Sequence, residues 1–178
     1  SAFDYMREHL EFCVLVTMDC DGQHEPSRIP VLLEALDDAD IVSGSRYLRD
    51  FRQDTLAPQD RRRINLQITN ELNARFGLHL TDAFCGFKAY RSSALKVFEI
   101  TDDGYAMPLQ VWVQAVQHGL KIEEVAVPLI YLDESRAFGG SLDNPEFRLN
   151  HYRMVFRAEM SPAGFPAAEG GGACSRSA

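Results

Sequence analysis

Residues 13–26 read CVLVTMDCDGQHEP, and the fold turns on how they are taken. Cys13 to Met18 form a short, continuous apolar and β-branched run, the pattern of a strand covered on both faces in a parallel sheet. Asp19 and Asp21 then stand at the carboxyl end of that strand, where open α/β sheets bind their ligands. Two carboxylates one residue apart repel, so keeping both ionised calls for a nearby cation. A hard divalent ion such as Mg²⁺ takes oxygen ligands and bridges one or two carboxylates to substrate phosphates, and Gln23 offers a further carbonyl oxygen. Alone, an Asp-x-Asp more often marks a solvated turn, so the neighbouring segments must decide.

Upstream, Phe3, Met6 and Leu10 fall at helical spacing. Downstream, Ile29, Leu32, Leu33 and Leu36 recur at i, i+3, i+4 and i+7, an amphipathic helix ending near Asp37 and Asp38, and Ile41-Val42 opens a second strand. Strand, helix and strand within about thirty residues make a βαβ unit with a right-handed crossover. Residues 48–60 are polar, aperiodic and contain Pro58, the marks of a mobile loop of functional length. Ile64, Ile68, Leu72 and Phe76 repeat every four residues up to Gly77, which sits where a helix-ending glycine belongs. "AFCGFKAYR" reads as a short extended segment and "SSALKVFEI" as a helix capped by Ser92 or Ser93. A helix over "PLQVWVQAVQHG" follows, then an alternating strand through Val125, Val127, Leu129 and Tyr131, then a helix from Phe147 to Met160. Trp112 and Phe98 lie on apolar helical faces and read as core.

The chain has 178 residues, 46% hydrophobic and 25% charged, enough for one globular core. Its net charge of −8 argues against nucleic acid, whose phosphates call for a basic face. Cys13, Cys20, Cys85 and Cys174 show no metal-site spacing and read as reduced thiols, which places the protein in the cytoplasm. His24, His79, His118 and His151 lack ligand spacing too, so no metal is assigned to them. No apolar run approaches the ~20 residues that span a bilayer, and no secretory signal is visible. From Ser161 onward Pro, Gly, Ala and Ser dominate, the composition of a disordered tail.

Four stretches in order, "DCDGQHEPSRIPVLLEAL", "ADIVSGSRY", "RRRINLQITNELNARFGLHLTDAFCGFKAYRSSAL" and "EVAVPLIYLDESRAFGGS", resemble the polyprenyl-phosphate (dolichyl-phosphate) mannosyl- or glucosyltransferases of glycosyltransferase family 2, over nearly all of residues 2 to 142. The resemblance implies an α/β, Rossmann-like GT-A fold with a mostly parallel sheet and a nucleotide-diphosphate sugar as donor. It also implies a polyprenyl phosphate as acceptor, a Mg²⁺ or Mn²⁺ ion, and inversion at the anomeric carbon.

Residue by residue, it assigns Asp19 and Asp21 to the metal and the donor diphosphate, with Gln23 completing the coordination. Arg46 matches an arginine near the transferring phosphate, a role that suits the guanidinium fork. Arg61, Arg62 and Arg63, with Asn65, match the basic start of the helix after the acceptor loop, where Arg61 and Arg63 would grip the lipid phosphate. In "TDAFCGFKAY", Asp82 is the catalytic candidate near the acceptor and Lys88 a basic neighbour; Arg136 and Ser141 match a stretch that closes over phosphates. There the family commonly continues with Lys, whereas this chain has Leu142, which leaves Arg148 as a candidate replacement. A phosphate acceptor is already anionic, so Asp82 is expected to orient rather than deprotonate.

Family members also carry an earlier strand-helix-strand region that holds the nucleobase, and nothing like it precedes Ser1. The expectation is therefore a partial GT-A domain over residues 1–160, incomplete at its N-terminus, with a disordered tail over 161–178. A polyprenyl acceptor would be met at the cytoplasmic face of a membrane through peripheral contact. Two rivals remain at this level: transfer to a polysaccharide or protein hydroxyl, with Asp82 as a true base, and a non-catalytic α/β interaction module pairing through a sheet edge.

Overall fold

The structure, a computed structural model, describes residues 2–9, 11–132 and 137–161. Leu10, Arg136 and all but the first residue of the expected tail lie outside the described residues. In chain order the elements are α1 (Ala2–His9), β1 (Val14–Thr17), α2 (Ile29–Ala35), β2 (Ile41–Ser45), α3 (Gln59–Phe76), β3 (Lys88–Arg91), α4 (Ser92–Leu95), α5 (Met107–Gln117), β4 (Ile122–Ala126) and α6 (Pro145–Glu159). Short 3₁₀ turns at Pro26–Arg28 and Gly140–Asp143 lead into α2 and α6.

The strand order is β1-β3-β2-β4. β3 runs antiparallel to both β1 and β2, with Thr17 opposite Lys88 and Ser43 opposite the same lysine, while β2 and β4 are parallel. The expected α/β class holds, but the mostly parallel sheet is corrected to a mixed one. β1 and β2 point the same way, as a βαβ unit requires, yet β3 returns from α3 and occupies the place between them. β1 is thus the outer strand of the described sheet, and all four of its residues are only half-buried, unlike the doubly covered strand the apolar run suggested. β2 is the one that is buried throughout.

Alternation along the strands splits the core into two layers. Ile41 and Tyr90 face α3, α5 and α6, joining Ile64, Ile68, Leu72, Trp112, Tyr152 and Phe156. Val42, Phe87 and Ala89 face the other way, against Leu32 and Leu36 of α2. The four-residue spacing of α3 holds, and Gly77 ends the helix in the left-handed region (φ 67°), its N–H bonded to the Asn73 carbonyl at 2.9 Å. Trp112 and Phe98 are core, as read from the sequence.

Three boundaries differ from expectation. α4 is a single turn without a side-chain cap, so neither Ser92 nor Ser93 plays that part. β4 lies at Ile122–Ala126 rather than through Tyr131: after the Val127 N–H bonds the Ser45 carbonyl (2.9 Å), Pro128 has no N–H to continue the ladder. α6 starts at Pro145, where the Asn144 side chain accepts the N–H groups of Glu146 and Phe147 at 3.0 and 2.9 Å. The chain beyond Pro128 meets the irregular 48–58 loop instead, with the Leu129 N–H on Asp54 (2.8 Å) and the Thr55 N–H on the Leu129 carbonyl (2.8 Å).

Candidate functional site

A cleft of about 260 Å³ opens at the carboxyl ends of β1 and β2. Asp19, Asp21 and Gln23 form one wall, Arg46, Arg61 and Arg148 supply the positive charge, and Tyr47, Phe84, Tyr105, Tyr131, Phe138 and Tyr152 line much of the rest.

The acidic wall is built by the turn after β1. The Gln23 N–H bonds Asp21 Oδ1 (3.0 Å), closing the turn around Gly22, whose φ of 79° suits glycine. The Asp19 N–H donates to Nδ1 of His24 at 3.1 Å. That imidazole is buried, stacked on Phe87 with ring centroids 5.3 Å apart, and its Nε2 lies 3.9 Å from Cys85 Sγ. Burial lowers the His24 pKa against the opposing pull of Asp19, so the ring is neutral. Opposite, Gly86 faces the Asp19 carboxylate so closely that a Cβ there would stand 2.6 Å from both carboxylate oxygens.

The cationic wall starts from Asp82, which is wholly buried. Arg46 Nε reaches its Oδ2 at 2.7 Å and Nη2 its Oδ1 at 2.9 Å, a fork-to-fork pair that the Arg46 N–H joins at 3.2 Å. Asn65 Nδ2 donates to Oδ1 at 2.7 Å, and the Phe84 N–H at 3.2 Å. Burial alone would raise the carboxyl pKa; the Arg46 charge and these hydrogen bonds outweigh it and bring it down to about 2. Glu124 of β4 holds the same loop from behind, accepting from the Thr81 N–H and hydroxyl (both 2.7 Å) and the Asp82 N–H (3.0 Å), and burial pushes its pKa up.

Arg61, in the first turn of α3, lies 4.6 Å from the Phe138 ring centroid, and Arg148 lies 4.2 Å from it. Arg148 is buried, paired with Asp60 and donating to the Leu142 carbonyl at 2.7 Å. It thereby ties α6 to α3 and to the 3₁₀ turn while reaching the cleft.

Of the residues singled out in the sequence, Asp19, Asp21, Gln23, Arg46 and Arg61 line one cleft, and Asp82 sits directly behind Arg46. Others are not brought there. Lys88 is buried in the floor, its ammonium on the Cys85 carbonyl and 5.2 Å from the Trp112 ring centroid, and burial lowers its pKa. Arg63 is exposed on α3 and Ser141 is exposed in the 3₁₀ turn, and neither lines the cleft. Arg62 stacks on Tyr47, 3.5 Å from its ring centroid. Sequence reasoning missed the aromatic lining: the alternation placed Tyr131 in a strand that in fact ends at Ala126, and Phe138 comes from irregular chain with no period to reveal it. Arg148 carried a signal: it shares the four-residue stripe of Tyr152 and Phe156, an arginine in an apolar register.

Chemically, two acids facing three guanidiniums across an aromatic cleft suit a phosphorylated ligand and a cation. Comparisons with known proteins give the family. Residues 2–98 match the family described as glycosyl transferase family 2. An undecaprenyl-phosphate mannosyltransferase of Micrococcus luteus is 31% identical over 151 residues, covering 82% of this chain and 62% of its own. A polyprenol monophosphomannose synthase of Mycolicibacterium smegmatis is 32% identical over 156 residues (83% and 58%). A UDP-N-acetylglucosamine–dolichyl-phosphate N-acetylglucosaminyltransferase of Methanococcus voltae is 29% identical over 130 residues (71% and 51%). The chain belongs to glycosyl transferase family 2, which implies the GT-A fold. It spans 51 to 62% of the length of these three relatives.

No group of three or more His, Cys, Asp and Glu side chains fit to hold a metal occurs among the described residues. The donor set of Asp19, Asp21 and Gln23 fits a hard ion in a different way: two carboxylates and an amide on one wall suit Mg²⁺ or Mn²⁺ shared with substrate phosphates, not a closed protein cage. Among the described residues no helix is long and apolar enough to cross a membrane.

Proposed function

We propose that this cleft serves transfer of a hexose from a nucleotide-diphosphate sugar to a polyprenyl phosphate, with inversion at the anomeric carbon. The observation that carries this reading is the state of Asp82. Its carboxylate is enclosed, forked by Arg46 and held at a pKa of about 2, so it has no capacity to take a proton near neutral pH. The only acids among the described lining residues are Asp19 and Asp21, with Asp82 behind Arg46. A site of this kind favours a nucleophile that arrives already ionised, as a phosphate oxygen does, over a sugar or protein hydroxyl that needs a base. The names of the three relatives, each a transferase or synthase acting on a polyprenyl-type substrate, support the same acceptor class.

In this reading Asp19, Asp21 and Gln23 would hold Mg²⁺ or Mn²⁺, which would supply charge neutralisation for the departing nucleoside diphosphate. Arg46, kept in place by Asp82, faces the phosphate oxygens beside the anomeric carbon of the transferred hexose. Arg61 and Arg148 receive the acceptor phosphate, and the aromatic lining excludes water around it. Arg148 stands in for the lysine that Leu142 replaces. The lipid acceptor would be met by peripheral contact with a membrane surface.

The test is to supply radiolabelled nucleotide sugars with undecaprenyl phosphate and follow label into the organic phase. We expect an acid-labile lipid-linked sugar, abolished by Asp21→Asn. Label appearing only on hydroxyl acceptors, in acid-stable linkage, would overturn the assignment.

A further inference from the structure

We infer that His24 and Gly86 are positioning residues for Asp19, one fixing its backbone and the other leaving the room its carboxylate occupies. The inference rests on the metal reading above and extends it to two positions that act on Asp19 rather than on the ion.

Asp19 is held from two directions. Its N–H donates to Nδ1 of His24 at 3.1 Å, so Nδ1 carries the lone pair and the ring proton sits on Nε2, turned toward Cys85 Sγ 3.9 Å away. The ring has little freedom to turn: it is buried and lies nearly parallel to Phe87, with 23° between the planes. A histidine fixed in this tautomer and orientation sets where the chain leaves β1, and hence where the acid that follows it points. On the other side, the three atoms nearest a Cβ placed on Gly86 all belong to the Asp19 carboxylate, at 2.6, 2.6 and 2.8 Å. Gly86 is not in the left-handed region, so backbone conformation does not demand glycine there. Space does. The Thr17 hydroxyl bonds the Gly86 carbonyl at 2.8 Å, pinning the glycine to the end of β1, so the carboxylate has to yield if a methyl group is added.

These constraints make a prediction that separates positioning from folding. Gly86→Ala asks only the end of one short side chain to move, so the fold stays intact while Asp19 is displaced. Mn²⁺ binding in the presence of a nucleoside diphosphate, read by electron paramagnetic resonance, should weaken roughly ten- to a hundredfold, the range for loss of a residue that orients a metal ligand, with the thermal midpoint retained. For His24 two variants divide the roles. His24→Asn keeps an acceptor near the Nδ1 position but loses the ring; His24→Phe keeps the ring on Phe87 but loses the acceptor. If the hydrogen bond to Asp19 matters, His24→Asn binds Mn²⁺ more tightly than His24→Phe, and the Asp19 amide stays protected from hydrogen exchange in the first and not in the second. Packing alone predicts the reverse order. Wild-type affinity in Gly86→Ala, or a protected Asp19 amide in His24→Phe, would overturn the inference while leaving the metal reading intact. Failure of the wild-type protein to bind Mn²⁺ at all would overturn the metal reading, and the inference with it.

Discussion

Asp82 shows how a residue's environment decides its role. An acid in a signature stretch invites assignment as a base, yet the Arg46 fork and Asn65 make it an anion whose work is to aim a guanidinium. Replacing it with Asn leaves Arg46 largely buried without a counter-charge, and we expect a loss of about 3–5 kcal/mol in stability, measured by urea unfolding at neutral pH. The pH dependence has a definite sign. A pKa lowered from 3.8 to about 2 in the folded state contributes stability that is complete above pH 4 and is lost as pH falls towards 2. The stability gap between wild type and Asp82→Asn should therefore narrow across that window by on the order of 2 kcal/mol. Arg148 belongs at the same scale. On the proposed role of Arg148 as a contact to the acceptor phosphate, Arg148→Gln should raise KM for the lipid phosphate by about tenfold or more, with a smaller change in kcat.

At the scale of elements, the helices were legible and the sheet order was not. The stripe of Ile64, Ile68 and Leu72 is a local pattern, and Gly77 closes it with a conformation that only the backbone has to adopt. Nothing lies within 4 Å of a Cβ built on Gly77, so Gly77→Ala costs only the left-handed backbone, about 1–2 kcal/mol, to be read as a lowered thermal midpoint. Strand pairing depends instead on segments far apart. That "AFCGFKAYR" is extended could be seen in its own residues; that it lies between β1 and β2 could not, because Thr17 meets Lys88 across 71 positions. The same limit explains the site. Asp19, Asp21 and Arg46 were visible as motif residues, whereas Gly86 became meaningful only once β3 carried it against Asp19. Lys88 was misplaced for a related reason: strand alternation decides whether a side chain enters the floor or the cleft, and β3's register was unknown.

Over the whole molecule, the net charge of −8 hides a local arrangement of opposite sign. Three arginines converge where the sheet ends, each tied down by something that is not a ligand: Asp82 for Arg46, the Phe138 face for Arg61, Asp60 and Leu142 for Arg148. Such a preset field avoids reorganisation when a phosphate arrives. It also sits on a sheet whose central pairings wait for a strand made later than both of its neighbours. β3 must enter between two strands made some fifty to seventy residues earlier, so β1 and β2 both precede the strand that joins them. A nascent chain halted short of residue 82 would display the acids at the end of β1 without Gly86, which seats Asp19, and without Asp82, which braces the arginine across from them. One short segment, residues 82–86, thus supplies both the seat of the acid on one wall and the brace of the arginine on the other.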